Sequence, residues 1–563
     1  MNPFGRLLPL ALAAGLAMAP DTGRSAERMA ADVTLLRNAQ IHTFDAQDRS
    51  FAPGALAVDA FGRIAGIGDD AELAAAFPQA RQIDLGGATV LPGLIDSHAH
   101  LYGLAQSFTQ ADLVGSASKI EVLERLRAFA ERLPGDAWLL GRGWDQNDWP
   151  EPVFPTRADL DAEFPDRPVW LRRIDGHAGW ANSAALAQAD RDLSGDWQET
   201  GGQVYRDADG KPTGILVDKA MAHVQGVVPP TPDGLIDAAL DLATARMVRL
   251  GLTGVHDPGI GLDVIRLYRK KIAAGAFPVR VYAMADGVGG TLDWLCANGP
   301  LNDPSGQLVM RSVKLYADGA LGSRGAALLA DYSDDPGNNG LLFLDDATLE
   351  AQLRRVFSCG LQAGVHAIGD RANRQVLDAY EKLIPQYPDN PGRHRIEHAQ
   401  ILAPADLPRF AALGVIAAMQ PTHATSDMDW ADERLGGERL AGAYAWKSLL
   451  RNGARLAFGS DFPVEAVNPM YGIHAAVTRQ DRSGNPPGGW LPAERLSRVE
   501  AIRAFTIDAA RAGFMEDEIG SLEAGKQADF IVLDGDIMAV PADEIPEVGV
   551  VQTWVGGKRV FSR

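Results

Sequence analysis

The chain has 563 residues, 46% of them hydrophobic and 22% charged, enough apolar material for a large core and a satellite domain. Its formal charge of −20 excludes nucleic acid or anionic lipid held by bulk electrostatics, and no run of clustered Lys/Arg offsets it. Two cysteines, Cys296 and Cys359, exclude a disulfide framework and any cysteine-based metal site; one bridge between them is allowed, but nothing in the sequence indicates it.

At the N-terminus Arg6 precedes an apolar run from Leu7 to Pro20, too short to span a bilayer and suited to the core of a secretory leader. Ala17-Met18-Ala19 offers a small-x-small cleavage site, followed unfavourably by Pro20, so the leader is expected over residues 1–26 with its end between 19 and 31. The other reading of this run is a buried or membrane-anchoring helix. A leader implies a periplasmic or secreted mature protein with no stable membrane association, because no later segment is a long apolar span.

From Val33 to Ile83 short alternating runs are punctuated by Gly62, Gly66 and Gly68, the texture of a small β-sheet. The texture returns in Asp529-Phe530-Ile531-Val532-Leu533 and Thr553-Trp554-Val555. Residues 32–90 and 511–563 are therefore expected to build one β-unit from both chain ends.

The middle, residues 91–510, repeats a short apolar strand followed by a helical stretch. Strands are expected at 88–94, 168–172, 254–256, 279–284, 309–316, 364–366, 395–398, 415–419 and 455–459. Repeated strand-helix units favour parallel strands, and a count near eight favours an α/β barrel, (β/α)8, with one candidate belonging elsewhere. Between about 101 and 228 the spacing stretches into Trp- and Pro-rich segments, read as an insertion that partly caps the barrel mouth.

Metal-type residues recur at the C-terminal ends of these strands, the face on which barrels build sites. His98 and His100 lie two apart on extended chain, so both imidazoles face one side and can grip one ion. His366, His398 and Asp461 end later strands; taken singly, each also reads as a core histidine or a helix N-cap. Lys314 lies inside the apolar segment Leu308–Tyr316, where burial favours the neutral amine. A neutral amine can add carbon dioxide to form a carbamate that bridges two metals; the alternative is a lysine paired with a buried acid such as Asp318. Trp144, Asp145 and His177 are further candidates, His177 for the substrate carbonyl or equally as a structural residue, and Trp144 with Trp180 for an apolar pocket, although aromatics in insertions more often simply pack. His256 reads as structural.

Asp96-Ser97-His98-Ala99-His100, Val313-Lys314-Leu315-Tyr316-Ala317-Asp318-Gly319, Val365-His366-Ala367-Ile368-Gly369-Asp370, Arg395-Ile396-Glu397-His398 and Gly459-Ser460-Asp461-Phe462-Pro463 together resemble the amidohydrolase superfamily. More closely the chain is similar to the third amidohydrolase domain family, the YtcJ-like branch that contains N-substituted formamide deformylases. The resemblance runs from about Val33 to the C-terminus. It implies a TIM-type barrel, a flanking β-sandwich formed by both chain ends, and an insertion after the first barrel strand. It also implies two divalent metal ions, for which zinc suits the His/carboxylate set. His98 and His100 would bind the first metal, Lys314 would bridge as its carbamate, and His366 and His398 would bind the second. Asp461 would contact the first metal and act as the catalytic base.

The implied activity is hydrolysis of an amide-type C–N bond, N-formyl or N-acyl, by metal-activated water. A deaminase or other hydrolase with a single metal, or a non-catalytic binding or regulatory relative, are the competing readings. The expected partner is a small-molecule amide, with no nucleic acid; a homodimer is compatible with the sequence.

Overall fold

The computed structural model describes residues 33–131, 133 and 137–563; the expected leader and its Ala17-Met18-Ala19 site lie outside them. Eight strands pair in parallel in chain order: β1 (Leu94–Asp96), β2 (Leu252–Ile260), β3 (Arg280–Asp286), β4 (Leu308–Tyr316), β5 (Gln362–Ala367), β6 (Arg395–His398), β7 (Ile416–Met419) and β8 (Arg455–Phe458). Every residue of β5, β6 and β7 is buried, as a parallel strand covered on both faces requires. Helices follow the strands and turn apolar stripes inward. In Asp370–Leu383 the buried stripe includes Ala372, Val376, Ala379, Tyr380 and Leu383, at the three-to-four spacing of one helix face. Asp345 opens the helix Asp346–Ser358 by accepting from the Thr348 amide at 2.8 Å.

The barrel is nearly closed. The seam between β8 and β1 is bridged by the Ser97 amide to the Phe458 carbonyl (3.0 Å), and by the Ser460 amide and hydroxyl to the Asp96 carboxylate (3.0 and 2.6 Å). A Cβ at Gly459 would lie 2.4 Å from Asp96 Oδ1 and 2.5 Å from the His98 amide, so only glycine permits this approach.

The expected run 88–94 is divided between two sheets. Thr89–Pro92 belongs to an outer sheet and β1 to the barrel, with the change at Gly93, where a Cβ would lie 2.2 Å from Thr253 Oγ1. The expected strand at 168–172 is not a barrel strand. It is Val169–Arg173 in a six-stranded sheet of the insertion, which has its own core of Trp144, Leu171, Val169 and Trp180. Periodicity reports burial, and four of the five residues of this strand are buried, which is why nine candidates compete for eight places.

The two chain ends share one eight-stranded sheet. Phe530–Leu533 pairs antiparallel with Thr89–Pro92, which in turn pairs with Thr34–His42. Leu36, Ile41, Val58, Phe530 and Trp554 form one apolar cluster of this sheet. Ile531, Leu533 and Val550 join the barrel core instead.

A candidate metal centre at the barrel mouth

β4 buries Lys314, β6 ends at His398, and His98 and Asp461 lie two and three residues beyond the ends of β1 and β8. One ligand atom from each of His98, His398 and Asp461 lies within 4.8 Å of the others. His98 Nε2 is 3.7 Å from Asp461 Oδ1 and 3.3 Å from Lys314 Nζ, and His100 Nε2 is 3.1 Å from Asp461 Oδ1. The His366 ring centroid is 4.6 Å from that of His398, which is 4.7 Å from that of His98. All six metal candidates therefore stand around one point on the C-terminal face.

The rings are tied from behind. His98 Nδ1 lies 2.5 Å from Glu397 Oε2, and His398 Nδ1 lies 2.9 Å from Gln420 Oε1, which leaves Nε2 of each ring as the ligand atom. Glu397 is held in turn by Arg395, whose Nη2 also donates to the Ser97 carbonyl at 2.7 Å and whose Nη1 lies 2.7 Å from His256 Nδ1. His256 thus supports the barrel floor. Space for the Glu397 carboxylate comes from Gly364, where a Cβ would sit 2.7 Å from Oε1. His398 and Asp461 have φ of 75° and 61°, left-handed values that aim their side chains out of strand geometry at a cost of roughly 1–3 kcal/mol each.

Lys314 is 1% exposed, and burial pushes its ammonium down to about 8 against the opposing pull of Glu397 and Asp461. It is not paired with Asp318. That carboxylate instead accepts the amides of Ala327, Ile368 and Gly369 at 2.8 to 2.9 Å, and burial pushes it up to about 7. Burial also raises Asp461, but the neighbouring His100 and His98 outweigh it and hold the carboxyl below the usual carboxylate range.

A cavity of about 710 Å³ opens above these residues. His100, Lys314, His366, His398 and Asp461 line it, together with Asp145 and His177 from the segment between the first two barrel strands. His177 Nδ1 lies 2.6 Å from Asp218 Oδ1; burial lowers its pKa, but the Asp218 contact prevails and raises it. Trp144 is elsewhere. It is fully buried in the core of the insertion, packs on Trp149, Phe154 and Trp180, and donates to the Leu171 carbonyl at 3.0 Å, so packing is what it does. Asp145 lines the cavity while paired with Arg173 at 2.6 Å.

Sequence reasoning passed over Glu397, although it directly precedes His398 on a buried strand, and it passed over Gln420 and His423. His423 lines the cavity, with Nε2 3.8 Å from Asp461 Oδ2 and Nδ1 3.1 Å from Gln400 Nε2. The signal available for it was its place just beyond the C-terminal end of β7.

A parallel barrel carrying histidines, a carboxylate and a buried lysine at the C-terminal ends of its strands defines a metal-dependent hydrolase fold. The sequence profile described as "Amidohydrolase family" matches residues 81–561, and the chain belongs to that family. It is 36% identical over 495 residues to the YtcJ protein of Bacillus subtilis, covering 86% of this chain and 91% of the relative. It is 30% identical over 555 residues to the N-substituted formamide deformylase of Arthrobacter pascens, covering 94% and 98%. Among solved structures it resembles an uncharacterized metal-dependent hydrolase from Pyrococcus horikoshii, with a TM-score of 0.73 at 29% identity over 91% of this chain and 99% of that one.

Proposed function

We propose that the protein hydrolyses an amide-type C–N bond of a small molecule, N-formyl or N-acyl, with two divalent cations, zinc by ligand preference, at the barrel mouth. The observation that carries this reading is the convergence of His98, His398 and Asp461 ligand atoms within 4.8 Å, with Lys314 Nζ 3.3 Å from His98 Nε2. The donor set fits such ions: imidazoles tied through Nδ1, a carboxylate, and a buried amine. His98 and His100 would hold one ion and His366 and His398 the other, with Asp461 on the first. Lys314 would lie between them after its neutral Nζ adds to carbon dioxide and releases one proton. The chemistry the ions supply is Lewis acidity, which polarises a carbonyl and lowers the pKa of water from about 15.7 to about 7.

The remaining work falls to side chains. Asp461 takes the proton lost by water as its oxygen bonds to the carbonyl carbon, then delivers it to the amide nitrogen as the C–N bond breaks, leaving an acid and an amine. His177, oriented through Nδ1 by Asp218, presents its Nε2–H to the carbonyl oxygen as negative charge develops there. The cavity volume suits a small molecule and the net charge argues against nucleic acid.

Export to the periplasm or medium belongs to the same proposal. Its support is the bridge between Cys296 and Cys359, a feature of oxidising compartments. Among the described residues no helix is long and apolar enough to cross a membrane.

The test is metal content measured on purified protein, followed by turnover of a panel of N-formyl and N-acyl amines. Cleavage to amine and acid with bound divalent metal is the expected result. Release of ammonia from amino-substituted rings, with no amide cleaved, would replace it by a deaminase.

A further inference from the structure

Three arginines of the insertion lie close together, and among the described residues only Arg173 is in an ion pair with a carboxylate, while Asp175 attracts Arg142 and Arg172, and Asp461 attracts Arg142, from beyond ion-pair distance. Arg173 is buried and paired with Asp145 and Asp175 at 2.6 and 2.5 Å. Arg142 and Arg172 face each other in register on the neighbouring parallel strands Leu139–Trp144 and Val169–Arg173. Both line the cavity above the metal candidates. Arg142 donates only to backbone carbonyls, those of Pro463 and Ile174, the second at 2.6 Å. Arg172 has a buried Nε without a hydrogen-bond partner, and among the described residues neither guanidinium forms an ion pair with a carboxylate.

Two like charges directly opposite on adjacent strands repel, and removal from water adds to the cost. Burial lowers Arg142 to about 9 and lowers Arg172 as well, yet Arg142 keeps its charge at neutral pH. Such a pair is stable when an anion joins it from the cavity, and a guanidinium fork matches a carboxylate in geometry. The anchor of Arg142 on Pro463, two residues beyond Asp461, sets the pair next to the catalytic carboxylate rather than at the outer rim.

We infer that Arg142 and Arg172 form the binding site for a carboxylate carried by the substrate, so that the preferred amides are N-acyl amino acids or related acids rather than neutral amides. This rests on the hydrolase reading above and narrows its substrate class. One step of selection follows: the carboxylate anchors the amine side of the amide while the acyl carbonyl lies over the metal candidates.

The test uses two probes that cannot be cleaved and differ by one group, N-methanesulfonyl-phenylalanine and N-methanesulfonyl-phenethylamine. Calorimetry on the metal-loaded protein should show the carboxylate probe binding at least about tenfold more tightly, a difference of about 1.4 kcal/mol. Salt should erode that difference, Arg172→Gln should abolish it, and Arg172→Lys should keep part of it. Equal affinity of the two probes for the parent protein would overturn the assignment without any variant. So would an advantage that survives in Arg172→Gln with an unchanged melting temperature. Phosphate binding that Arg172→Gln abolishes, alongside equal binding of the two sulfonamides, would assign the pair to a free anion and also overturn it. Failure of every amide to be cleaved would sink the hydrolase reading alone, because the binding comparison needs no turnover.

Discussion

Glu397 Oε2 stands 2.5 Å from Nδ1 of His98, both side chains fully buried, although the two residues are 299 positions apart in the chain. A carboxylate behind a ligand ring fixes its tautomer and raises its basicity, so its removal should be felt at the ion rather than in the fold. Glu397→Gln should weaken metal binding about 10- to 100-fold. Competition with a chelator measures this, and unchanged metal affinity would reduce Glu397 to a counter-ion for Arg395.

Asp461→Asn keeps the shape of the side chain and removes the base. Turnover should fall about 10²–10⁴-fold while the substrate still binds. Turnover within tenfold of the parent would take Asp461 out of the proton-transfer role.

Lys314→Ala should lose one metal ion and nearly all activity, with the barrel intact because its packing is unchanged. Short carboxylic acids that fill the vacated space should restore part of the activity. Metal analysis of the variant is the decisive measurement. Retention of the parent's metal content and turnover would leave Lys314 a structural lysine and end the two-metal proposal.

Cys296 and Cys359 are 63 residues apart in sequence, and their Cα atoms are 5.0 Å apart. Replacing both by serine should cost about 2–4 kcal/mol, read as a lower melting temperature with retained activity. In a Gram-negative host the parent should be recovered outside the cytoplasm, lacking at least its first 19 residues and without free thiol. An intact Met1 on cytoplasmic protein would refute the export proposal.

His394 stacks on Phe357 at 4.0 Å, accepts the Ala363 amide at 3.1 Å, and is pushed down to about 3 by burial. An unfolded histidine takes a proton below about 6.5, whereas this one stays neutral until about 3. Its contribution to stability is therefore complete above 6.5 and is lost as pH falls toward 3, by at most about 1.4 kcal/mol per pH unit. His394→Phe should be less stable at neutral pH, because the Ala363 amide loses its acceptor, yet should show a shallower decline in melting temperature between pH 6.5 and 5. An equally steep decline would assign the acid sensitivity to the other buried histidines, His98, His256, His366 and His398.

The sequence by itself determined the barrel class and the metal candidates, because both are local signals. An apolar strand that ends in His98, His398 or Asp461 states its burial and its chemistry within a few residues, and Lys314 announces itself by standing in an apolar strand. Period-two alternation says that a residue is buried but not which sheet buries it, so the alternation alone does not tell that Val169–Arg173 lies in the insertion's sheet or that Trp144 packs in the insertion's own core. Partnership across the chain was likewise decided only by tertiary structure. Glu397 meets His98 because β6 and β1 both enter the barrel interior, Cys296 meets Cys359 because the helix Gly290–Asn298 lies against the end of the helix Asp346–Ser358, and Arg142 meets Arg172 because two strands of the insertion share a register. Each of these pairs depends on distances set by the packing of whole elements, a quantity that no window of residues contains.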